Sequence, residues 1–579
     1  MKYGRIPVAV AWTRSRFNRW DLLAALLILG FLVILAAGSR GALQPLASIT
    51  AAPLSLDPAH LPRYAAQTIM RMLLAMALSL LFTMTYATWA AKSKRAGMLL
   101  IPMLDILQSV PILGFLSVAV VFFLSLTPGR AFGAECAAIF AIFTSQAWNM
   151  AFGFYQSLRS VPKELVEATR NLHFSPWMRF WKLEVPFAVP QLTWNMMISM
   201  AGGWFFVVAS ESISVGETQI SLPGIGSYIA VAIAHKDMEA IAWAIITMVI
   251  VLLLTDQLFF RPLLCWSQRF VADQDPDKPP PRSWMLTMLR RSVLIATLIR
   301  PLATLWKKSY RPQSTPGQLS RRLDKGRPNT WQHRMDQLWL LFLLIICMLA
   351  LWSVGHYVTR NLPTHELGLV ALRGLATMAR VFAMLALATL IWVPVGVWIG
   401  TNLRLATALQ PIVQLVSAFP ANLLFPVVAS IIVSLHLNPE VWLSPLLILG
   451  AQWYILFNVI AGAMAIPREL KDVTRNLQLK GWLWWRTLGL PAIAPFYITG
   501  AITAAGGAWN ASIVAEVVSW GRDRLMAHGL GSYITMATMH GDFNRLVLGI
   551  ATMSFFVVLV NQLLWRPLYR YAERRFQFN

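Results

Sequence analysis

Long apolar runs are the feature that most constrains how this chain can fold. A hydrocarbon layer of about 30 Å is crossed by roughly 20 helical residues, and apolar runs of that length recur along the whole sequence. Because the layer offers no water to unpaired backbone groups, we expect each run to be an α-helix. We predict twelve spans, six before a polar segment and six after it, near 21–38, 64–91, 98–126, 134–158, 187–210, 239–260, 336–354, 374–400, 409–435, 441–463, 492–515 and 543–565.

The positive charge of the chain follows this predicted topology. The sequence has 49 Lys and Arg against 25 Asp and Glu, a net charge of +24. With a cytoplasmic N-terminus, 38 of the 49 basic residues fall in cytoplasmic segments, which is the positive-inside pattern of a multi-pass protein. No RNA- or DNA-binding motif accompanies the charge, so we expect no nucleic-acid partner.

The first span has a second interpretation, because a basic stretch at 14–19 precedes it as in a secretory signal. Its apolar run is longer than the core of about 7–15 residues typical of a signal peptide. We therefore predict that the span is retained, with both termini cytoplasmic. The three cysteines, Cys136, Cys265 and Cys347, are isolated and indicate neither a disulfide framework nor a metal cluster.

The sequence is duplicated. Residues 167–177 read EATRNLHFSPW, and residues 472–482, which lie 305 positions further on, read DVTRNLQLKGW. Upstream the offset becomes 309, a difference that we assign to a shorter outer turn in the second copy. Six spans per copy give both copies the same orientation, which predicts parallel repeats related by an axis along the membrane normal. Matched pairs include Thr68 with Thr377, Arg71 with Arg380, Pro111 with Pro420, Glu211 with Glu516, and His235 with His540.

The duplicated text lies in a predicted cytoplasmic loop of each copy. Leu165, Ala168 and Leu172 share one stripe of a helix that follows Pro162, and charged residues lie off this stripe. We predict a short helix along the cytoplasmic surface. A plain basic interfacial loop is the alternative, but it gives no reason for two copies.

At these residues the sequence resembles the permease subunits of bacterial ATP-binding-cassette importers. Their EAA loop reads roughly E-A-A, three residues, Gly, and ends in Leu-Pro. Residues 167–169 and 185–186 match it in the first copy, and residues 472–474 and 490–491 match it in the second. The surrounding text is most similar to the nitrate, taurine and sulfonate branch, and the resemblance covers both halves. Two features depart from the family: the Gly is His173 or Gln478, and the second copy begins with Asp472.

The resemblance implies a fold and a mechanism. The fold is an all-α membrane permease of the type I importer kind, located in a bacterial inner membrane. Each loop helix docks on a cytoplasmic ATPase, and closure of two ATPases opens the two halves outward. The chain has no G-x-x-x-x-G-K-[ST] sequence, so ATP and Mg²⁺ are expected on the partner ATPase and no cofactor on this chain. The residues implied in coupling are Glu164, Glu167, Ala168, Leu172, His173, Glu469, Asp472, Val473, Leu477 and Gln478.

A basic linker separates the repeats. We divide the chain into a first repeat at 1–265, a linker at 266–335 and a second repeat at 336–579. The linker carries 14 Lys and Arg against 4 Asp and Glu. Its apolar stretch at 283–306 would give a thirteenth span and place the second EAA-like loop outside, so we favour a helix in the membrane interface with its basic residues on lipid headgroups.

Polar residues inside a bilayer generally face the bundle interior or a cavity. Arg71 and Arg380 are the leading candidates for the translocation pathway, because both repeats keep them. An arginine near a span end can also reach the headgroups, which is the alternative. An unpaired arginine is costly there, so we expect a partner, either the substrate or a carboxylate such as Glu211 or Glu516. Those two glutamates end the fifth spans, where capping an outer gate or contacting a binding protein is the favoured role.

Other polar residues of the spans and outer turns are weaker candidates. Asp105 and Gln108 lie in the third span, where the second repeat has Gln and Ser, so an anion site there would be asymmetric. The sequences HKD at 235–237 and HGD at 540–542 resemble paired metal ligands. Two side chains are too few for a closed site, so we expect polar outer turns and no metal.

Two other functions remain to be weighed. A secondary transporter of the major facilitator kind also has six plus six parallel spans, but it does not need a duplicated EAA-like loop. A membrane enzyme needs a convergent nucleophile or metal constellation, and the sequence has none. We therefore expect a non-enzymatic importer subunit whose partners are two copies of an ATPase and a periplasmic or lipid-anchored substrate-binding protein. The resembled branch indicates a small anion, such as a sulfonate or nitrate, as substrate.

Overall fold

The computed structural model describes residues 19–42, 54–215, 218–270, 283–309 and 329–576, and it consists largely of α-helices. The first repeat contains α1 (Arg19–Ala42), α2 (Leu61–Lys92), α3 (Lys94–Ser109), α4 (Ile112–Leu126), α5 (Phe132–Arg159), α6 (Lys163–Asn171), α7 (Pro176–Arg179), α8 (Val185–Glu211), α9 (Ile225–His235), α10 (Met238–Thr255) and α11 (Arg261–Ser267). The linker contains α12 (Trp284–Arg291) and α13 (Val293–Ser309).

The second repeat follows the same order of elements. Its helices are α14 (Asn329–Asn361), α15 (Thr364–Thr401), α16 (Leu403–Ala418), α17 (Phe425–Ser434), α18 (Pro439–Trp442), α19 (Ser444–Leu449), α20 (Gln452–Met464), α21 (Arg468–Asn476), α22 (Gly481–Trp484), α23 (Leu490–Ala515), α24 (Leu530–Met539), α25 (Phe543–Val560) and α26 (Arg566–Phe576). Short 3₁₀ helices occur at Pro58–His60, Gln268–Phe270 and Ala421–Leu424. Four π-helical segments fall at equivalent places in the two repeats, at Phe180–Glu184 and Trp485–Gly489, and at Asp256–Phe260 and Asn561–Trp565.

Six helices of the described chain are long and apolar enough to cross a membrane, or up to eight if each bent pair is one span. These eight coincide with eight of the twelve predicted spans. The other four, at 21–38, 98–126, 134–158 and 336–354, are also helical, in α1, in α3 with α4, in α5 and in α14. The helical membrane fold is therefore confirmed, and the full count of twelve stays a prediction.

The third span of each repeat is broken, and the prediction of continuous helices at 98–126 and 409–435 is wrong. Val110 and Phe419 precede proline and are extended, with ψ of 128° and 126°. A residue before proline disfavours the α-helical region, and proline itself lacks the amide hydrogen, so the helix ends there. In the second repeat the two halves meet at 76°.

Two β-hairpins, which the sequence analysis did not predict, follow the fifth spans. Strands β1 (Ser212–Val215) and β2 (Thr218–Ser221) pair antiparallel, with Ser212 opposite Ser221. Strands β3 (Val517–Trp520) and β4 (Asp523–Met526) do the same in the second repeat, with Val517 opposite Met526. The second hairpin turns at Gly521, whose φ of +62° suits glycine.

The described chain divides into two compact units. One comprises residues 1–39, 157–194 and 254–325, and the other comprises 40–156, 195–253 and 326–579. In the first unit the buried Asp21 carboxylate accepts hydrogen bonds from the Ser292 hydroxyl at 2.8 Å and the Leu294 amide at 3.0 Å. Trp306 of α13 packs edge to face on Trp181, with ring centroids 4.7 Å apart. The linker stretch at 283–306 thus forms two helices that pack within this unit.

The second unit contains most of both repeats, which contact each other reciprocally. In the first repeat Ile112 lies just after the break in the third span, and its amide donates to Asn510 Oδ1 of the second repeat at 2.8 Å. Asn422, just after the equivalent break, donates through Nδ2 to the Phe205 carbonyl at 3.1 Å. Phe205 and Asn510 are themselves equivalent positions. Such an exchange is what a two-fold relation between parallel repeats produces.

Between the helices of the fourth and fifth spans, each repeat has a glycine at a matched pair of positions, but on opposite helices. In the first repeat Gly153 of α5 faces Asn195 of α8, whose side chain occupies the space that a Cβ would need. In the second repeat the equivalent positions are exchanged: Asn458 lies on α20 and Gly500 on α23. A Cβ on Gly500 would lie 3.0 Å from the Asn458 Cβ and 2.7 Å from the Tyr454 carbonyl oxygen.

Candidate functional site

The two coupling loops have the same local structure. Helices α6 and α21 each follow a proline and end in a turn in which His173 (φ 53°) or Gln478 (φ 51°) is left-handed. The Phe174 amide donates to the Thr169 carbonyl and the Leu479 amide to the Thr474 carbonyl, each at 3.0 Å. This is a Schellman ending, which normally has glycine at the left-handed position. His173 and Gln478 thus take this left-handed position although both carry a side chain.

The candidate coupling residues lie at the surface of their helices. Thr169 and Thr474 are buried, and their hydroxyls bond to the carbonyls of Val166 and Lys471. By contrast Leu172 is 67% exposed. The predicted apolar stripe is thus presented outward rather than packed against the chain's own core. The other exposed members are Glu164, Glu167, Ala168, His173, Glu469, Asp472, Val473, Leu477 and Gln478.

Arg71 lies in a sealed ionic network within the first repeat. Its guanidinium donates to both oxygens of Glu135, at 2.6 and 2.7 Å, and to Glu211 Oε1 at 2.7 Å. The Thr68 hydroxyl donates to the same Glu211 oxygen at 2.7 Å, and Gly226 donates its amide to Oε2 at 2.7 Å. The Arg71 and Glu211 side chains are 0% exposed and that of Glu135 is 8% exposed. The expected carboxylate partner of Arg71 is present as Glu211.

Arg380 occupies the equivalent network of the second repeat, but that network is open. It donates to Glu516 Oε1 at 3.3 Å and to Glu440, and Thr377 donates to Glu516 at 2.7 Å. The Glu440 carboxylate also contacts the imidazole of His528. The side chains of Arg380, Glu440 and His528 are 15%, 36% and 69% exposed. Burial raises the pKa of the Glu516 carboxyl, which lies just beyond the fifth span, and the bonds from Thr377, Ser532 and Arg380 oppose that rise.

The glutamates that complete these networks were missed by the sequence analysis. Glu135 and Glu440 are 305 positions apart, so the repeat itself pairs them. They lie directly after the place where the offset changes from 309 to 305, which is why the comparison of the halves passed over them. The carboxylates of Glu211 and Glu516 also lie close to the backbone of Gly224 and Gly529. A Cβ on either glycine would collide with the carboxylate, which explains why both repeats have glycine there.

A cavity of about 320 Å³ lies between the two repeats, inside the second unit. Gln108 is in its lining, whereas the side chain of Asp105 lies outside the described residues. Among the described lining residues none is charged. The polar members are Gln108, Ser145, Asn149, Ser199, Ser417, Tyr454, Thr503, Asn510 and Asn561, and the aromatic members are Trp148, Phe205, Phe206, Phe419, Trp509 and Trp565.

The turns at 235–237 and 540–542 hold no metal-ligand cluster in the part of the chain that the structure describes, where no group of three or more His, Cys, Asp or Glu side chains converges. His540 Nδ1 lies 2.7 Å from the Met536 carbonyl oxygen. Lys236 pairs instead with Asp523 of the second repeat's hairpin, at 2.9 Å, and both side chains are about half exposed.

Comparison with known proteins places these features in one family. Residues 83–260 and 392–577 each match the model of the binding-protein-dependent transport system inner membrane component, so the match covers both repeats and more than half of the chain. The chain matches less than two thirds of the length of each of the three curated relatives named here, and each of them is shorter than this chain.

Three curated relatives illustrate the similarity. The nitrate import permease protein NrtB of Leptolyngbya laminosa is 27% identical over 188 residues, which is 32% of this chain and 64% of NrtB. The bicarbonate transport system permease protein CmpB of Synechococcus elongatus is 27% identical over 176 residues, 30% of this chain and 60% of CmpB. The glycine betaine/carnitine transport permease protein GbuB of Listeria monocytogenes is 28% identical over 194 residues, 33% of this chain and 63% of GbuB.

Proposed function

Because the chain belongs to the family of binding-protein-dependent transport system inner membrane components, we propose that it is the membrane subunit of an ATP-driven importer. It moves a small solute from an external binding protein to the cytoplasm, and it is a transport component rather than an enzyme. Both permease halves are fused in one chain, so one chain serves two ATPases, which hold the ATP and Mg²⁺.

The observation that carries this proposal is the duplicated coupling helix. Each copy exposes apolar side chains that a soluble loop has no reason to expose: Leu172 is 67% exposed in the first and Leu477 is 64% exposed in the second. Each also exposes a carboxylate at the corresponding place, Glu167 or Asp472. An apolar surface rimmed by charge is typical of a protein interface. We assign both surfaces to ATPase docking.

The cavity between the repeats is the proposed path of the solute. It receives side chains from both halves, so a change in their arrangement alters its access. Two of the three named relatives carry an anion in their names and one carries glycine betaine, a zwitterion. The branch that the sequence resembles indicated an anion as substrate.

The test of coupling is a pair of charge reversals. We expect Glu167→Lys together with Asp472→Lys to abolish ATP-driven uptake. Each substitution replaces a carboxylate of the proposed ATPase-docking surface with a positive charge. The amount of inserted protein should not change. Glu239→Lys, an exposed reversal in the first turn of α10, is the matched control and should transport normally. Normal uptake by the double variant would refute the assignment.

The proposed topology has a separate test. Both coupling helices, the linker and both termini are assigned to the cytoplasmic side. A cysteine introduced as Lys471→Cys should resist a membrane-impermeant thiol reagent in intact spheroplasts and react after permeabilisation. Val441→Cys, which is exposed in the outer part of the second repeat, is the matched control and should react in intact cells. Labelling of residue 471 from outside would overturn the parallel arrangement.

A further inference from the structure

Neither Arg71 nor Arg380 has positive charge to spare for a substrate. Arg71 is matched by two carboxylates, Glu135 and Glu211, and Arg380 by Glu440 and Glu516. Burying an anion without a compensating charge costs a large free energy of desolvation. A negatively charged solute therefore gains no counter-charge from the residues that the sequence singled out.

The cavity itself supplies no cation either. Its described lining is uncharged, and its polar groups are amides and hydroxyls. The Tyr454 hydroxyl and the Asn561 amide make no hydrogen bond to any described residue, so both are open to a ligand. Gly202 leaves room for that hydroxyl, since a Cβ there would lie 3.1 Å from its oxygen.

Distance along the helices places both carboxylate-rich networks near this lining. Phe206 lines the cavity and lies five residues before Glu211 in α8, which is about 7.5 Å at 1.5 Å per residue. Ala511 lines it from the second repeat, five residues before Glu516. Because each arginine is matched by two carboxyl groups, these networks bring no spare positive charge to the lining.

Aromatic side chains complete the lining. Trp148, Phe206 and Phe419 come from three different spans and both repeats. The face of an aromatic ring attracts an organic cation, most strongly when the cation is desolvated, and substituted ammonium groups are the usual ligands of such surfaces. Amide and hydroxyl groups beside the rings can donate to a carboxylate or hydroxyl of the same solute.

We propose that the cavity binds a small solute that carries a substituted ammonium group, as a zwitterion or a cation. The ammonium group lies on the aromatic faces. The polar end of the same solute accepts hydrogen bonds from the Tyr454 hydroxyl and the Asn561 amide. This inference rests on the proposed function only in taking the cavity as the path of the solute.

The experiment measures equilibrium binding to the full chain in lipid nanodiscs, with radiolabelled glycine betaine and choline as probes and nitrate and bicarbonate as competitors. We expect saturable binding of at least one ammonium probe, with no competition by either anion. Trp148→Leu should weaken binding about tenfold, whereas Trp148→Phe, which keeps a ring, should weaken it less. Tyr454→Phe should weaken binding of glycine betaine about fivefold through the lost hydrogen bond.

The control is Trp243→Leu, the same substitution at a half-exposed tryptophan of α10 outside the lining, and it should leave binding unchanged. The inference is overturned if neither ammonium probe binds saturably, if either anion competes, or if Trp148→Leu binds like Trp243→Leu. Recovery of an ATPase with the chain from native membranes tests the proposed function separately. With the ATPase present and the binding result negative, only the present inference fails.

Discussion

The two arginine networks share an arginine, two glutamates and a threonine at equivalent positions, but they differ in their access to solvent. In the first repeat the Arg71 side chain is 0% exposed, and its second carboxylate, Glu135, is 8% exposed. In the second, Glu440 is 36% exposed and contacts His528, whose place in the first repeat is taken by Pro223. In both repeats the network connects the same three elements, but only in the second repeat is it open to solvent.

This difference separates two roles that the sequence could not distinguish. Each network joins the second span, the helix of the fourth span and the segment after the fifth, so each stabilises its own repeat. Only the open network can be reached from outside the chain. We therefore expect loss of the first arginine to act on folding and loss of the second to act less strongly, because solvent can partly compensate the exposed carboxylate.

The largest expected effect is that of Arg71→Met. It leaves Glu135 and Glu211 buried without a counter-charge, which costs about 3–5 kcal/mol of folding stability. Arg380→Met should cost clearly less, since His528 and water remain beside Glu440. Thermal unfolding of the detergent-purified variants measures both. Equal losses for the two variants would erase the distinction between a sealed and an open network.

The exchanged glycines give the next largest effect. Gly153→Ala forces Asn195 to move and should cost about 1–3 kcal/mol, as overpacking does. The double variant Gly153→Ala, Asn195→Ala should recover most of this loss. Gly500→Ala should not be rescued by Asn458→Ala, because the Tyr454 carbonyl oxygen lies 2.7 Å from the added Cβ and cannot be removed. Unfolding temperatures of the four variants settle the comparison, and rescue in both repeats would contradict it.

The coupling loops should respond to glycine with a smaller gain. His173→Gly and Gln478→Gly each relieve a left-handed residue and should stabilise the turn by about 1 kcal/mol. Hydrogen exchange of the α6 and α21 amides would show it as slower exchange. Asn171→Gly, at the last residue of α6, should have the opposite sign. Faster exchange in either of the first two variants would mean that the turn is held by contacts of the side chain itself.

The smallest effect is expected at His528. Because its side chain is 69% exposed, His528→Ala should change stability by less than about 1 kcal/mol. The unfolding temperature measures it beside Arg380→Met. A loss as large as that of the arginine variant would show that the histidine, not the arginine, holds Glu440.

The sequence predicted the architecture better than its interruptions. The spans were predicted from apolar length and the repeats from the offset between matching segments, because both can be found in the residue order without knowledge of helix packing. The break before Pro420 was not predicted, although the proline was noted, since hydropathy does not distinguish one helix from two. Glu135 and Glu440, the second carboxylate partners of Arg71 and Arg380, were missed because they directly follow the place where the offset between the halves changes. The polar lining of the cavity was not predicted either. It depends on how the spans pack against each other, which a local sequence pattern does not determine.

The most direct test of the account is the mass of the complex that the chain forms in native membranes. If each repeat carries a functional coupling helix, native mass spectrometry of the gently solubilised complex should find one copy of the 579-residue chain with two ATPase subunits. The variant with Glu167→Lys and Asp472→Lys should lose both. A chain that transports its solute with no ATPase bound, or with only one, would contradict the proposal that one chain serves two ATPases.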